Sequence, residues 1–134
     1  MENKILFVDD NELTRELLFE TLSSQGFNVT LAENGNTALT ILKDSFFPLI
    51  ILDLMMPDMD GIELCSHIRK TNSASVIYAY SAAADKFDQD EMDRIGFDGI
   101  IFKPSDNTLL LQAVEGAFEQ FHMKKAQNSD LDYP

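Results

Sequence analysis

Short apolar runs alternate along the chain with stretches in which apolar residues recur every three to four positions. Ile5–Val8 is a continuous apolar run, the pattern of a strand buried on both faces. Asn11 then stands where a helix N-cap belongs, ahead of Leu13, Leu17, Leu18 and Leu22 at helical spacing, and Gly26 supplies a stop. Val29–Ala32 predicts a second strand, and Asn34-Gly35 turns the chain into a helix with Ala38, Leu39 and Leu42 on one side. Pro48 precedes a third strand, Leu49–Leu52, which ends at Asp53. A Met-Met-Pro-Asp-Met-Asp-Gly loop leads to a helix over Ile62–Lys70. Val76–Tyr80 predicts a fourth strand ending at Ser81, Phe87–Ile95 a short polar helix, and Gly99–Phe102 a fifth strand ending at Lys103-Pro104. Leu109–Phe121 is the clearest amphipathic helix, with Leu110, Val114, Ala117, Phe118 and Phe121 on its apolar side. Residues 125–134 lack periodicity and are expected to fray as a flexible tail. Five strands alternating with five helices predict a single α/β domain, a parallel sheet with helices on both faces.

The strand ends carry the polar exceptions. The first ends in Asp9-Asp10, the third in Asp53, the fourth in Ser81 and the fifth in Lys103. Open parallel sheets build their sites at the carboxyl ends of strands, so one edge is expected to collect three carboxylates, a hydroxyl and an ammonium. Taken singly, these residues have plainer uses: Asp-Asp as a helix cap region, Ser81 as a cap for the next segment, Lys-Pro as a surface turn. Together they pose an electrostatic problem. Carboxylates about 5 Å apart repel by roughly 3 kcal/mol at an effective dielectric near 20. Such a cluster needs a cation or raised pKa values. No histidine or cysteine stands at these strand ends, which argues against zinc; a hard divalent ion with oxygen ligands fits best. Mg²⁺ takes one or two carboxylates, keeps several waters and completes its shell with phosphate oxygens, the arrangement of a phosphoryl-transfer site; Mn²⁺ is the substitute.

Composition narrows the partners. The chain has 134 residues and a formal net charge of -13, so its surface repels nucleic-acid phosphates and anionic lipid; neither direct nucleic-acid binding nor membrane binding is expected. The segment Asp85–Asp98 holds six acids and two bases, a local net of -4, which serves either as a solvated face or as a dock for a basic partner. The single cysteine, Cys65, falls in a helix as a small buried residue and permits no intrachain disulfide. With no secretory signal pattern in Met-Glu-Asn-Lys and no apolar run of membrane length, a cytoplasmic location is expected.

Ile5-Leu6-Phe7-Val8-Asp9-Asp10-Asn11, Leu52-Asp53-Leu54-Met55-Met56-Pro57-Asp58-Met59-Asp60-Gly61, Ser81-Ala82 and Lys103-Pro104 together resemble the response-regulator receiver domain, over about residues 3–124. The resemblance implies a flavodoxin-like (βα)5 three-layer sandwich with strand order 2-1-3-4-5. It implies a phosphorylation-dependent switch of two-component signalling in which Asp53 is the phosphoacceptor and Asp9, Asp10, Asp53 and the Met55 backbone carbonyl hold Mg²⁺. Lys103 would pair with the phosphoryl oxygens, Ser81 and Ala82 would form the phosphate-binding switch, and Pro104 would follow a cis peptide. The implied donor is a phosphohistidine on a sensor histidine kinase or histidine phosphotransfer domain, and some members dimerise through the last helix. The domain would assist its own phosphorylation and dephosphorylation rather than turn over a substrate as an enzyme.

The chain departs from the family pattern at three positions. Ile100 stands where many members carry a switch aromatic, and Phe102 lies on the same strand face but next to the lysine. Met55 and Ala83 occupy the positions that tune attack by water, and neither side chain can orient a water, which predicts slow self-dephosphorylation. Tyr78 and Tyr80 are expected as strand residues in the core, and His67 and His122 as solvated side chains. Two other readings compete: an unphosphorylated pseudo-receiver acting as an interaction module, and a haloacid-dehalogenase-type phosphatase, which would want an Asp-x-Asp pair where this chain has Asp9-Asp10.

Overall fold

The computed structural model describes residues 3–83, 86–104 and 106–127. Strands β1 (Lys4–Val8), β2 (Asn28–Ala32), β3 (Leu49–Asp53), β4 (Val76–Ser81) and β5 (Gly99–Phe102) alternate with helices α1 (Glu12–Ser23), α2 (Gly35–Asp44), α3 (Gly61–Arg69), α4 (Gln89–Ile95) and α5 (Asn107–Gln127). All pairings are parallel and the strand order is β2-β1-β3-β4-β5. This is the fold expected from the sequence.

The two faces of the sheet follow from period-two alternation. Leu6, Val8, Ile50, Leu52, Ile77 and Ala79 point to one side, where Ala38, Leu64, Ile68 and Met92 of α2, α3 and α4 cover them. Ile5, Phe7, Leu49, Ile51, Val76, Tyr80 and Ile101 point to the other, against Leu18 and Leu22 of α1 and Leu110, Val114, Ala117 and Phe121 of α5. β3 is the central strand and all five of its residues are buried. Burying one Leu or Ile contributes roughly 1.5–3 kcal/mol, so this scaffold can carry a charged edge that costs a few kcal/mol.

Caps start the helices where the sequence places them. Asn11, Asn34 and Asp60 each accept a backbone N–H from three residues on, Thr14, Thr37 and Glu63. Two details differ from the sequence expectation. The leucine stripe of α1 is wider than its buried face, for Leu18 and Leu22 are buried while Leu13 and Leu17 are exposed. And α5 continues to Gln127, past the expected boundary at residue 124; residues 128–134 of the expected tail lie outside the described residues.

At the edge of the sheet opposite the carboxyl ends, Asp98 organises a polar cluster. One carboxylate oxygen accepts the Ile77 N–H at 2.9 Å, Arg69 at 2.8 Å and Lys124 at 3.3 Å. Arg69 also donates to the carbonyls of Gly96 and Ser75. The cluster ties α3, the start of β5 and α5 together. Cys65 is buried, and burial pushes its thiol up to about 12. No described helix is long and apolar enough to cross a membrane.

Candidate functional site

β1 and β3 lie side by side with Val8 opposite Leu52, so the next residue of each strand, Asp9 and Asp53, emerges at the same edge. Carboxylate oxygens of Asp9, Asp10 and Asp53 lie within 4.8 Å of one another. Asp9 is fully buried and Asp53 is 4% exposed, whereas Asp10 is open to solvent. Such a set presents hard oxygen donors on a half-closed rim, which suits a divalent cation that keeps part of its water shell. Lys103 brings an ammonium to the cluster. Its Nζ lies 2.9 Å from Asp9 Oδ2 and 3.3 Å from Asp53 Oδ1.

Backbone groups hold the carboxylates in place. Asp9 Oδ1 accepts the Asn11 N–H at 2.9 Å, and Asp53 Oδ1 accepts the Met55 N–H at 3.2 Å. The Arg15 guanidinium donates to the Asp9 carbonyl at 2.8 Å, fixing the end of β1 from the first turn of α1. One ammonium shared among buried acids cannot satisfy all of them. Burial and the Asp9 charge push the Asp53 carboxyl up to about 6, against the opposing pull of Lys103 and the Met55 N–H. Burial draws the Lys103 ammonium down, but its hydrogen bond to Asp9 and the charges of Asp9 and Asp53 outweigh that and raise it overall.

A family profile described as Response regulator receiver domain matches residues 5–115. The chain belongs to that family. Among curated relatives, the transcriptional regulatory protein CpxR of Escherichia coli is 35% identical over 138 residues, spanning 98% of this chain and 56% of that protein. The uncharacterized transcriptional regulatory protein YrkP of Bacillus subtilis is 38% identical over 104 residues, 78% of this chain and 44% of that protein. The chain thus spans about half the length of these relatives. Of solved structures, chemotaxis response regulator CheY4 of Vibrio cholerae superposes with a TM-score of 0.78 at 28% identity, over 85% of this chain and 97% of that one. The response regulator TrrA of Thermotoga maritima, solved in complex with Mg²⁺ and a beryllium fluoride, gives 0.77 at 31% identity, over 85% and 97%.

The fold brings together Asp9, Asp10, Asp53 and Lys103. Met55 stands two residues after Asp53, its side chain exposed. Ser81 does not join the same hydrogen bonds. It sits on the opposite parity of β4 from Tyr80, and its Oγ accepts the Ala83 N–H at 3.1 Å, with Ala82 exposed between them. The Lys103–Pro104 peptide is cis. Ile100 packs against the core cluster of α2, α3 and α4, and the exposed Phe102 ring stands outside it.

Two residues escaped the sequence reading. Gly61, the first residue of α3, lies against the backbone at the carboxyl end of β3. A Cβ there would sit 3.0 Å from the Asp53 carbonyl carbon and 2.9 Å from Leu54 Cα, and closer still to the Asp53 oxygen. The Met-Asp-Gly spacing hinted at a turn but not at this approach. Tyr80 is the other. Its register partner on β3 is Asp53, and the Lys103 Nζ lies 5.0 Å above its ring. Nothing in the sequence separates that role from ordinary strand burial.

Proposed function

We propose that this receiver domain is a phosphorylation switch in which Asp53 accepts a phosphoryl group from a phosphohistidine on a sensor histidine kinase or a histidine phosphotransfer domain. The observation that carries the reading is the pairing of a buried carboxylate, Asp53, with one ammonium, Lys103, and two further acids on the same rim. Mg²⁺, or Mn²⁺ in its place, would be held by Asp9, Asp10, Asp53 and the Met55 carbonyl. Bound there, it supplies charge neutralisation for the entering phosphoryl oxygens. The rest is done by the protein's own groups. Asp53 Oδ1 is held by the Met55 N–H and the Lys103 ammonium, which leaves its other oxygen to attack phosphorus in line. Lys103 stabilises the spread negative charge as the bond to the donor nitrogen breaks. Afterwards Ser81 would exchange the Ala83 N–H for a phosphoryl oxygen, moving the β4–α4 loop with it and altering the surface that a downstream partner reads.

Met55 and Ala83 carry no hydrogen-bonding group with which to orient a hydrolytic water, so the phosphoryl group should be long-lived. A half-life of seconds for the isolated phosphorylated domain refutes that part. The deciding experiment is phosphotransfer from the cognate kinase, followed by mapping of the labelled residue, with Asp53→Ala as control. Label at Asp53 supports the switch. A domain left unchanged by acetyl phosphate and by beryllium fluoride with Mg²⁺ present is a pseudo-receiver, and turnover of phosphate esters in trans would indicate a phosphatase.

A further inference from the structure

Lys103 has two places to go. On one side are Asp9 and Asp53; on the other a groove of about 560 Å³ opens between α1 and α5, with Lys103, Tyr80 and Glu20 among its lining residues. A flexible ammonium on a four-carbon stem, at the edge of a groove of that size, has room to swing away from its carboxylates. We propose that the Tyr80 ring is a positioning residue for Lys103, holding the ammonium over Asp9 and Asp53 and away from that groove.

Three features of the structure support this. The Lys103 Nζ stands over the ring face at 5.0 Å from its centroid, within the range of a cation–π contact. The ring cannot easily turn away, because Phe7 meets it edge-on at 5.7 Å between centroids with planes 69° apart, and Tyr80 is only 5% exposed. And β4 places Tyr80 directly beside Asp53 in the ladder, on the same face of the sheet as Phe7, so the ring is built into the rigid central strands rather than into a loop. The hydroxyl has no hydrogen-bond partner among the described residues, so the ring is the working part. The inference rests on the phosphoacceptor reading of Asp53, but the ammonium's position is measurable without it.

The test replaces the ring's electrons while keeping its shape. Tyr80→Phe, followed by progressively fluorinated phenylalanines at position 80, drains negative charge from the ring face and leaves the packing against Phe7 nearly unchanged. Two readouts are taken: the NMR signal of the Lys103 ammonium in protein free of divalent ions and phosphodonor, and the rate of Asp53 phosphorylation by acetyl phosphate with saturating Mg²⁺. Tyr80→Phe should match the wild type in both. Along the fluorinated series the ammonium signal should move stepwise toward that of a free lysine and the rate should fall by about fivefold at the most fluorinated ring, the loss expected from one such contact. An unchanged ammonium signal across the series, or a loss already complete in Tyr80→Phe, overturns the proposal. Absence of label at Asp53 in the wild type overturns the switch reading instead, and the ammonium signal still decides on Tyr80.

Discussion

Consider Asp53→Asn in the domain stripped of divalent ions. The Asp53 carboxyl is raised from the ordinary value near 3.8 to about 6, first by burial and then by the Asp9 charge. A carboxyl that binds its proton more tightly when folded favours the native state below the unfolded value. That advantage is lost as pH climbs from about 4 through 6, because the unfolded chain then ionises more readily than the folded one. At pH 7.5 the ionised group therefore weighs against folding. The span from 3.8 to about 6 corresponds to about 3 kcal/mol at 1.36 kcal/mol per pH unit. Asparagine is nearly isosteric and can still accept the Met55 N–H, and Lys103 keeps Asp9 as partner, so most of that cost should disappear. For a chain of this size the gain corresponds to a rise in Tm of about 10 °C. The assay is thermal and urea unfolding in EDTA at pH 7.5 and again at pH 4, where Asp53 is already largely protonated. A clear gain at pH 7.5 that shrinks toward zero at pH 4 is expected. No gain at neutral pH, or the same gain at both, would show that Asp53 is not the strained carboxylate of this cluster.

Four further outcomes follow from the same structure. Saturating Mg²⁺ should relieve the repulsion in the wild type, raising stability by about 2.7 kcal/mol at a hundredfold excess over its Kd; Asp10→Asn should need markedly more Mg²⁺ for the same effect, as read by a melting-temperature titration. Gly61→Ala drives a methyl group into the Asp53 and Leu54 backbone, and should lower stability by about 1–3 kcal/mol and slow phosphorylation by acetyl phosphate, whereas substitution at exposed Gln112 should do neither. Asp98→Asn leaves Arg69 and Lys124 without their shared carboxylate and should cost about 2–3 kcal/mol in urea unfolding with little effect on phosphorylation. Cys65, buried and with its thiol pushed up to about 12, should resist a thiol reagent at pH 8 in the native state and react promptly once the chain is unfolded.

Much of this protein could be read from residue order. The continuous apolar runs of β1 and β3 dictate two-sided burial, and Asn11, Asn34 and Asp60 cap helices through contacts only three residues long. The acids and the lysine stood out because a polar residue ending an apolar run is conspicuous without knowing its neighbours. What needed the tertiary structure were relations between residues far apart in the chain. Leu13 and Leu17 fit the apolar stripe of α1 yet face solvent, because which arc of a helix is covered depends on where α5 and the sheet lie. α5 runs on to Gln127, past the end that apolar periodicity predicts, for a similar reason: Lys124, near that end, is held by Asp98 and the Ser75 carbonyl, support that no local pattern of apolar residues announces. Gly61 against Asp53, Arg69 and Lys124 on Asp98, and Tyr80 beneath Lys103 were invisible for the same physical cause. Local sequence sets backbone preference and hydrophobic period, but the strength of a charge, a close approach or a ring contact depends on distances and burial that exist only once the sheet has brought its strands side by side.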